Sequence, residues 1–396
     1  MRKFLIIGFY VLAVLSGCSK VVEQPGRTGD DDAWKYDESL PVPIVFSAGP
    51  EVDIESKTLD ETGIRVSNLE DEVVGVFALA AECDDNGTPS DASDDKYSPA
   101  WSARYTESSD GSSVLTGDGI LFSNSRSEPI SGGKITFDPV RYYPMDNSRT
   151  YSFYSYYPHH SVYFEDGWLK ADYDLGMEDI LYADVCHAKP FQDQKYGWLY
   201  GFNSLYVRSV ENSGKTEEYG PKLHYKHKLV SFAFEAVFDT QNYSILQFWL
   251  PNAPAKVSLR IAGTSDVDPD NSLAGSFEIR SDEQDAFGLH LAKPKEDGNG
   301  ADWALNIMPE VGKPVLVGNL LAYIENGDEK VDACIQLKHR EKQYTTIADI
   351  ELIPPEGGFI AGRIYSYKLE IKDDTTVKAM PVSLDKWKDG FDSIKP

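Results

Sequence analysis

The chain has 396 residues, of which 64 are Asp or Glu against 38 Lys or Arg, for a formal net charge of −26. A surface this acidic repels phosphate backbones and anionic headgroups, which excludes nucleic acid as a partner. A hydrophobic content of 41%, with 12% aromatic, is ample for packed cores, and the length suits two domains rather than one.

At the N-terminus, Arg2 and Lys3 precede the apolar run Phe4 to Leu15. That run is too short to span a bilayer as a helix and has the layout of a secretory signal. It ends in Leu15-Ser16-Gly17-Cys18, the lipobox pattern, in which small residues let the peptidase approach the backbone and the thiol carries the diacylglycerol. Residues 1–17 are therefore expected to be a signal peptide and Cys18 the lipidation site. Removing 1–17, with Arg2, Lys3 and no acid, takes the charge to −28. A mature lipoprotein carries two or three acyl chains, enough for stable anchoring, where one chain is marginal. Residues 18–40 are polar and acidic and read as a flexible tether.

Beyond the tether, short alternating runs separated by Gly, Asn, Asp and Pro predict an all-β protein. The 23 tyrosines favour sheets. Strands are expected at 43–48, 73–79, 134–138, 151–157 and 180–184. In 151–157, Tyr151, Phe153 and Tyr157 share one face, and Tyr154 and Tyr156 the other, so this strand should be covered on both sides. Polar 210–220 is the expected domain boundary, giving an N-terminal sandwich over 41–221 and a C-terminal one over 222–396. The run 222–238 switches its apolar parity near Leu229–Val230, which predicts a bulge or bend there. Further strands are expected at 256–262, 276–280, 287–292, 303–308, 315–324, 331–338, 346–353, 363–371 and 377–384, a density that means a sandwich. No helix longer than about two turns is expected, since no window shows capped helical spacing.

Chemistry-bearing residues form no catalytic pattern. His224 and His227 are three apart, which on a strand places them on opposite faces, and His159-His160 falls at a turn. Asp266-Val267-Asp268-Pro269-Asp270 imitates a calcium loop, but Asn271 and Phe277 stand where an EF-hand needs Gly and Glu. Gly-x-Ser-x-Gly, phosphate-binding glycine loops and His-Glu-x-x-His are absent from the sequence. No enzyme activity, metal or cofactor is expected. After Cys18, three cysteines remain, Cys83, Cys186 and Cys334; an odd number leaves at least one unpaired, and buried thiols are expected. Trp168, Trp198 and Trp249 could stack on sugars if exposed, so a glycan-binding surface lipoprotein is the alternative reading.

Taken in order, the lipobox at Cys18, PIVFSAG followed by SKTLDETG, VVGVFAL, the YYP of Tyr142–Pro144, YSFYSYYP, DILYAD, LHYKHKLVSFAFEAVF, GRIYSYKLEI and VSLDKWKDG form a pattern. The chain resembles the fimbrillin family of Bacteroidetes, subunits of lipoprotein-derived pili, over most of residues 43–390. The resemblance implies two tandem transthyretin-like β-sandwiches and a surface-exposed outer-membrane lipoprotein assembled into fimbriae. It also implies assembly by donor-strand exchange: an arginine-specific protease removes the first strand, and another pilin subunit donates a strand into the groove. Arg65, the one arginine in the polar stretch 60–68, is the expected cleavage site; Arg27 precedes the first strand, and a cut there would open no groove. The implied partners are other pilin subunits, the outer membrane through the lipid, and host or bacterial surface ligands.

Overall fold

The computed structural model describes residues 33–35, 37–48, 55–60, 63–88, 90–91, 94–107, 113–176, 178–281, 283, 285–294 and 301–386, with the backbone alone for 55–60, 63–68, 105–107, 113–114, 293–294, 301 and 385–386. Strands dominate, as the alternating runs predict.

The central sheet orders Tyr225–His227, Leu181–Ala183, Tyr151–Tyr157, Gly75–Asp84 and Lys96–Pro99, with Ile120–Arg126 also on Gly75–Asp84. All seven residues of Tyr151–Tyr157 are buried. Phe153 and Tyr157 enter one core with Val76, Ala78 and Leu181, while Tyr154 and Tyr156 enter a second with Phe77, Leu79 and Leu259. Buried phenols need acceptors, and they have them. Tyr154 donates to Asn271 Oδ1 at 2.6 Å, Tyr156 to Asn124 Oδ1 at 2.6 Å, and Tyr182 to the Ile261 carbonyl at 2.7 Å.

The second core is closed by a sheet ordered Val162–Glu165, Trp168–Asp174, Lys256–Gly263 and Phe277–Ile279. Leu169, Ala171 and Tyr173 alternate inward against Val257, Leu259 and Ile261. The other face carries charge, and there Lys170 is only 2% exposed. Its ammonium is held by Glu165 at 3.2 Å and Glu278 at 3.1 Å, and Arg260 also reaches Glu278. This layer joins strands from both sides of the expected 221/222 boundary. Residues 222–227 likewise pair with Phe46–Ala48 and Leu181–Ala183, so a division at 221/222 does not separate the sheets.

Past Leu229 the chain builds two facing sheets. One orders Pro314–Ala322, Val230–Phe238, Arg363–Ile371 and Val377–Lys386; the other orders Phe287–His290, Tyr243–Pro254, Val331–His339 and Thr345–Leu352. Phe232, Phe234, Phe248, Leu337 and Leu369 fill the space between them. The parity switch near Leu229–Val230 is real, but it marks a passage between sheets: Tyr225–His227 belongs to the central sheet and Val230–Phe238 to this sandwich.

Three expectations need correction. Helix α1, Ser204–Ser213, has ten residues where none of this length is expected; Asn203 caps its start, and Gly214 ends it in the left-handed conformation at φ 71°. Tyr243–Pro254 is a twelve-residue strand whose register shift between Ile245 and Gln247 hides its alternation. Residues 303–308 form no strand, and Ile307 makes an isolated bridge to Ile245.

Candidate assembly interface

The first strand, Phe46–Ala48, lies inside a three-stranded sheet rather than at its edge. It runs antiparallel to Lys134–Ile135 and parallel to Lys222–Leu223. Pairing begins earlier in the chain: Ile44 N donates to the Arg141 carbonyl at 2.8 Å, and Tyr143 N to the Val42 carbonyl at 3.0 Å. Val42, Ile44 and Phe46 are at most 1% exposed, whereas Val45 is 39% exposed. The strand thus fills its seat from one side, as its alternation predicts. Phe46 meets Phe153 edge-on at 4.7 Å and Phe137 at 6.3 Å. Each such buried side chain contributes roughly 1.5–3 kcal/mol.

Just upstream, the chain is strapped across helix α1. Arg208, 7% exposed, donates from Nε to the Trp34 carbonyl at 2.9 Å and from Nη2 to the Leu40 carbonyl at 2.8 Å. Lys35 pairs with Glu211 at 3.3 Å, and Glu38 accepts from Lys195 and Tyr196 at 3.1 and 2.9 Å. Trp34 packs against the first-strand core and lines a cavity of about 260 Å³ shared with Phe46, Tyr206, Val210 and Pro221. The strap and the first strand form one continuous insert. Sequence reasoning missed the strap because its composition is that of a tether; the signal was Trp34, a large apolar residue in an acidic run.

Cys18 lies outside the described residues. Arg65 is placed on the second arm of a hairpin, Glu55–Asp60 with Gly63–Asn68, where it pairs with Thr58. The polar stretch after the first strand is therefore a two-stranded ladder rather than an open loop.

The last strand, Val377–Lys386, is an edge strand on Arg363–Ile371, and its register shifts between the Ser366–Ser383 and Tyr367–Pro381 pairs. The shift falls at Pro381, because proline tolerates only edge or bulged positions. Val382 is the extra residue and is 66% exposed, while Leu384 returns to the core face beside Val377 and Ala379.

The polar clusters serve the fold. His227 Nδ1 and Asp179 Oδ2 are 2.7 Å apart with both side chains buried, and His187 Nδ1 lies 2.7 Å from buried Ser152 Oγ. Burial pushes the His187 imidazole down to about 4, so it stays neutral. In the acidic loop, Asp268 accepts from Leu273 N, and Asn271 takes the Tyr154 hydroxyl. Among the described residues, no group of three or more His, Cys, Asp or Glu is placed to hold a metal. Cys83, Cys186 and Cys334 are free thiols. Trp168 is buried under Arg260 and is no sugar platform; Trp249 stacks on His290, which in turn stacks on the half-exposed Trp303.

Several solved structures are similar to this chain. A fimbrial protein of Bacteroides vulgatus is 13% identical with a TM-score of 0.40, over 84% of this chain and 99% of that one. A Bacteroides ovatus protein provisionally described as a cell adhesion protein is 11% identical with a TM-score of 0.42, over 88% and 98%. The fimbrial anchor protein Mfa2 of Porphyromonas gingivalis is 10% identical with a TM-score of 0.29, over 88% and 98%. No protein-family model and no curated protein sequence matches the chain. The likeness is loose, and no function is carried across from it.

Proposed function

We propose that the chain is a structural subunit of a surface pilus, exported as a lipoprotein on Cys18, that assembles by donor-strand exchange and supports adhesion. The observation that carries this reading is the seat of the first strand. Val42, Ile44 and Phe46 plug a core from a central position, yet they belong to a terminal segment joined to the rest by one connection. A cut after Arg65 would let that segment leave, exposing apolar surface and the unpaired edges of Lys134–Ile135 and Lys222–Leu223. An exposed edge of this kind recruits another strand. The last strand of a second copy is the proposed donor, since it sits at an edge and its proline is already accommodated in a bulge. Organisation as two tandem transthyretin-like units belongs to the same proposal.

The test treats wild type, Arg65→Ala and a chain truncated before Val377 with an arginine-specific protease. Wild type should form SDS-resistant polymers and both variants should stay monomeric. If Arg65→Ala polymerises as well as wild type, strand removal at this arginine is not the trigger. Separately, Cys18→Ala should abolish lipid labelling and membrane retention, and a variant still lipidated in membranes sinks the anchor.

A further inference from the structure

The sheet containing Tyr243–Pro254 carries on its outer face a row of side chains that neither the core nor the first-strand seat uses. His290 stands directly opposite Trp249, Trp249 opposite Cys334, and Cys334 opposite Asp349, so the four share one face across the four strands. The opposite face holds Leu289, Phe248, Ile335 and Ile350, which enter the sandwich core. Trp303 caps the row. Its indole stacks on His290 at 4.5 Å and 12°, and His290 stacks on Trp249 at 5.6 Å and 20°. The chain just beyond Trp303 is pinned to the same sheet. Leu305 N donates to the Leu246 carbonyl at 2.8 Å and Ile307 N to the Ile245 carbonyl at 2.9 Å, with both side chains buried. Imidazole thus covers one face of the Trp303 indole, yet the residue is still 52% exposed, so its other face is open to solvent.

We infer that the open face of Trp303 is a binding site for a neutral pyranose unit of a surface glycan. This names a ligand class for the adhesion proposed above and rests on that reading for its purpose. The site itself lies in a sheet that contains neither the first strand nor the last. A flat ring already held in its plane matches the apolar C–H face of a pyranose, and binding there orders little of the protein. A single indole face is far smaller than the roughly 800 Å² per partner of a stable protein interface, which favours a sugar ring over a protein surface. The surroundings can meet hydroxyls. Asp302 and Asn306 are exposed to either side of Trp303 along the chain, and Gln247 and Gln336 stand half-buried in the next row of the same face. Charge then selects among sugars: Asp302 and Asp349 are exposed carboxylates on a chain of net charge −26, so uronates and sialates are repelled.

Isothermal titration calorimetry of the uncut full chain against neutral hexasaccharides of gluco, manno, galacto and xylo configuration tests this. An oligogalacturonate and tetramethylammonium serve as charged comparators. At least one neutral oligosaccharide should bind, and neither comparator should. Trp303→Ala should weaken that binding at least about tenfold, the scale of a lost aromatic anchor, and His290→Ala about threefold by removing the ring behind it. In saturation-transfer NMR on wild type, the C–H protons of one sugar face should receive the strongest transfer, a readout that needs no variant. If no neutral oligosaccharide binds, or if Trp303→Ala binds as tightly as wild type, the inference falls. Binding of tetramethylammonium alone would make the stack a cation site and overturn it equally. Because the protein is uncut, a failure here leaves strand exchange standing, and a failure of cleavage at Arg65 to trigger assembly leaves the sugar site standing.

Discussion

The first and last strands of the chain are held by opposite means. Phe46–Ala48 is short and paired on both sides, with Val42, Ile44 and Phe46 driven into a core at almost no exposure. Val377–Lys386 is ten residues long, paired along one side, and packs only the partly buried Val377, Ala379 and Leu384 inward. The first strand contributes mainly side chains and the last mainly a backbone ladder. A strand of the first kind leaves a hole that only comparable side chains can fill. One of the second kind can peel from its edge while most of its core stays shut, which suits a donor.

The largest effect should come from the first strand. Phe46→Ala should cost about 3–5 kcal/mol in urea unfolding, because the ring is fully enclosed. A loss below about 1 kcal/mol would break the comparison. Acid should act on the same half. His187 adjoins Cys186, whose backbone bridges Phe153 under Phe46. With its folded pKa near 4, His187 is neutral in the fold, whereas the unfolded chain takes up a proton below about 6.5. The unfolded state thus binds more protons between these values. Stability from this residue is full above pH ~6.5 and falls by up to about 3 kcal/mol as the pH drops toward 4. Unfolding midpoints across that range for wild type and His187→Gln check it: the variant should flatten the slope. At the other end of the chain, Leu384→Ala should cost about 1 kcal/mol, as a half-buried side chain does. Val382→Ala should stay within about 0.5 kcal/mol, since Val382 sits on the bulge in solvent. A large loss there would mean that the last strand is held by its side chains after all.

Much of this contrast was legible in the residues. Period-two alternation exposed the one-sided fill of Ile44 and Phe46, the double burial of Tyr151–Tyr157, the break near Leu229 and the bulge near Pro381. Where the pattern failed, a local reason can be named. Tyr243–Pro254 carries a register shift and two prolines that scramble its parity. Trp168–Asp174 does alternate, but Lys170 and Asp172 interrupt its apolar run, and the lysine is buried with Glu165 and Glu278 as its partners. Helix α1 announced itself through Asn203 and Gly214 at its ends, yet its apolar face is only Tyr206, Val207 and Val210. The strap was hidden for a different reason: its partners, Arg208 and Glu211, are far away in sequence, and composition does not report contacts.

The ladder between Trp168–Asp174 and Lys256–Gly263 bears on how such a chain can be inherited in pieces. A recombination joint at residue 221 would hand one parent Trp168–Asp174 with a bare edge, and the other Lys256–Gly263 with nothing to pair against. It would also separate Lys170 from Glu278, stranding a buried ammonium with one of its two carboxylates. A viable chimera must carry residues 256–279 with the N-terminal sheets they complete, or replace both sides of the ladder together. The unit of exchange is therefore the shared layer, and sequence divergence among relatives should respect that seam rather than the linker-like stretch before residue 222.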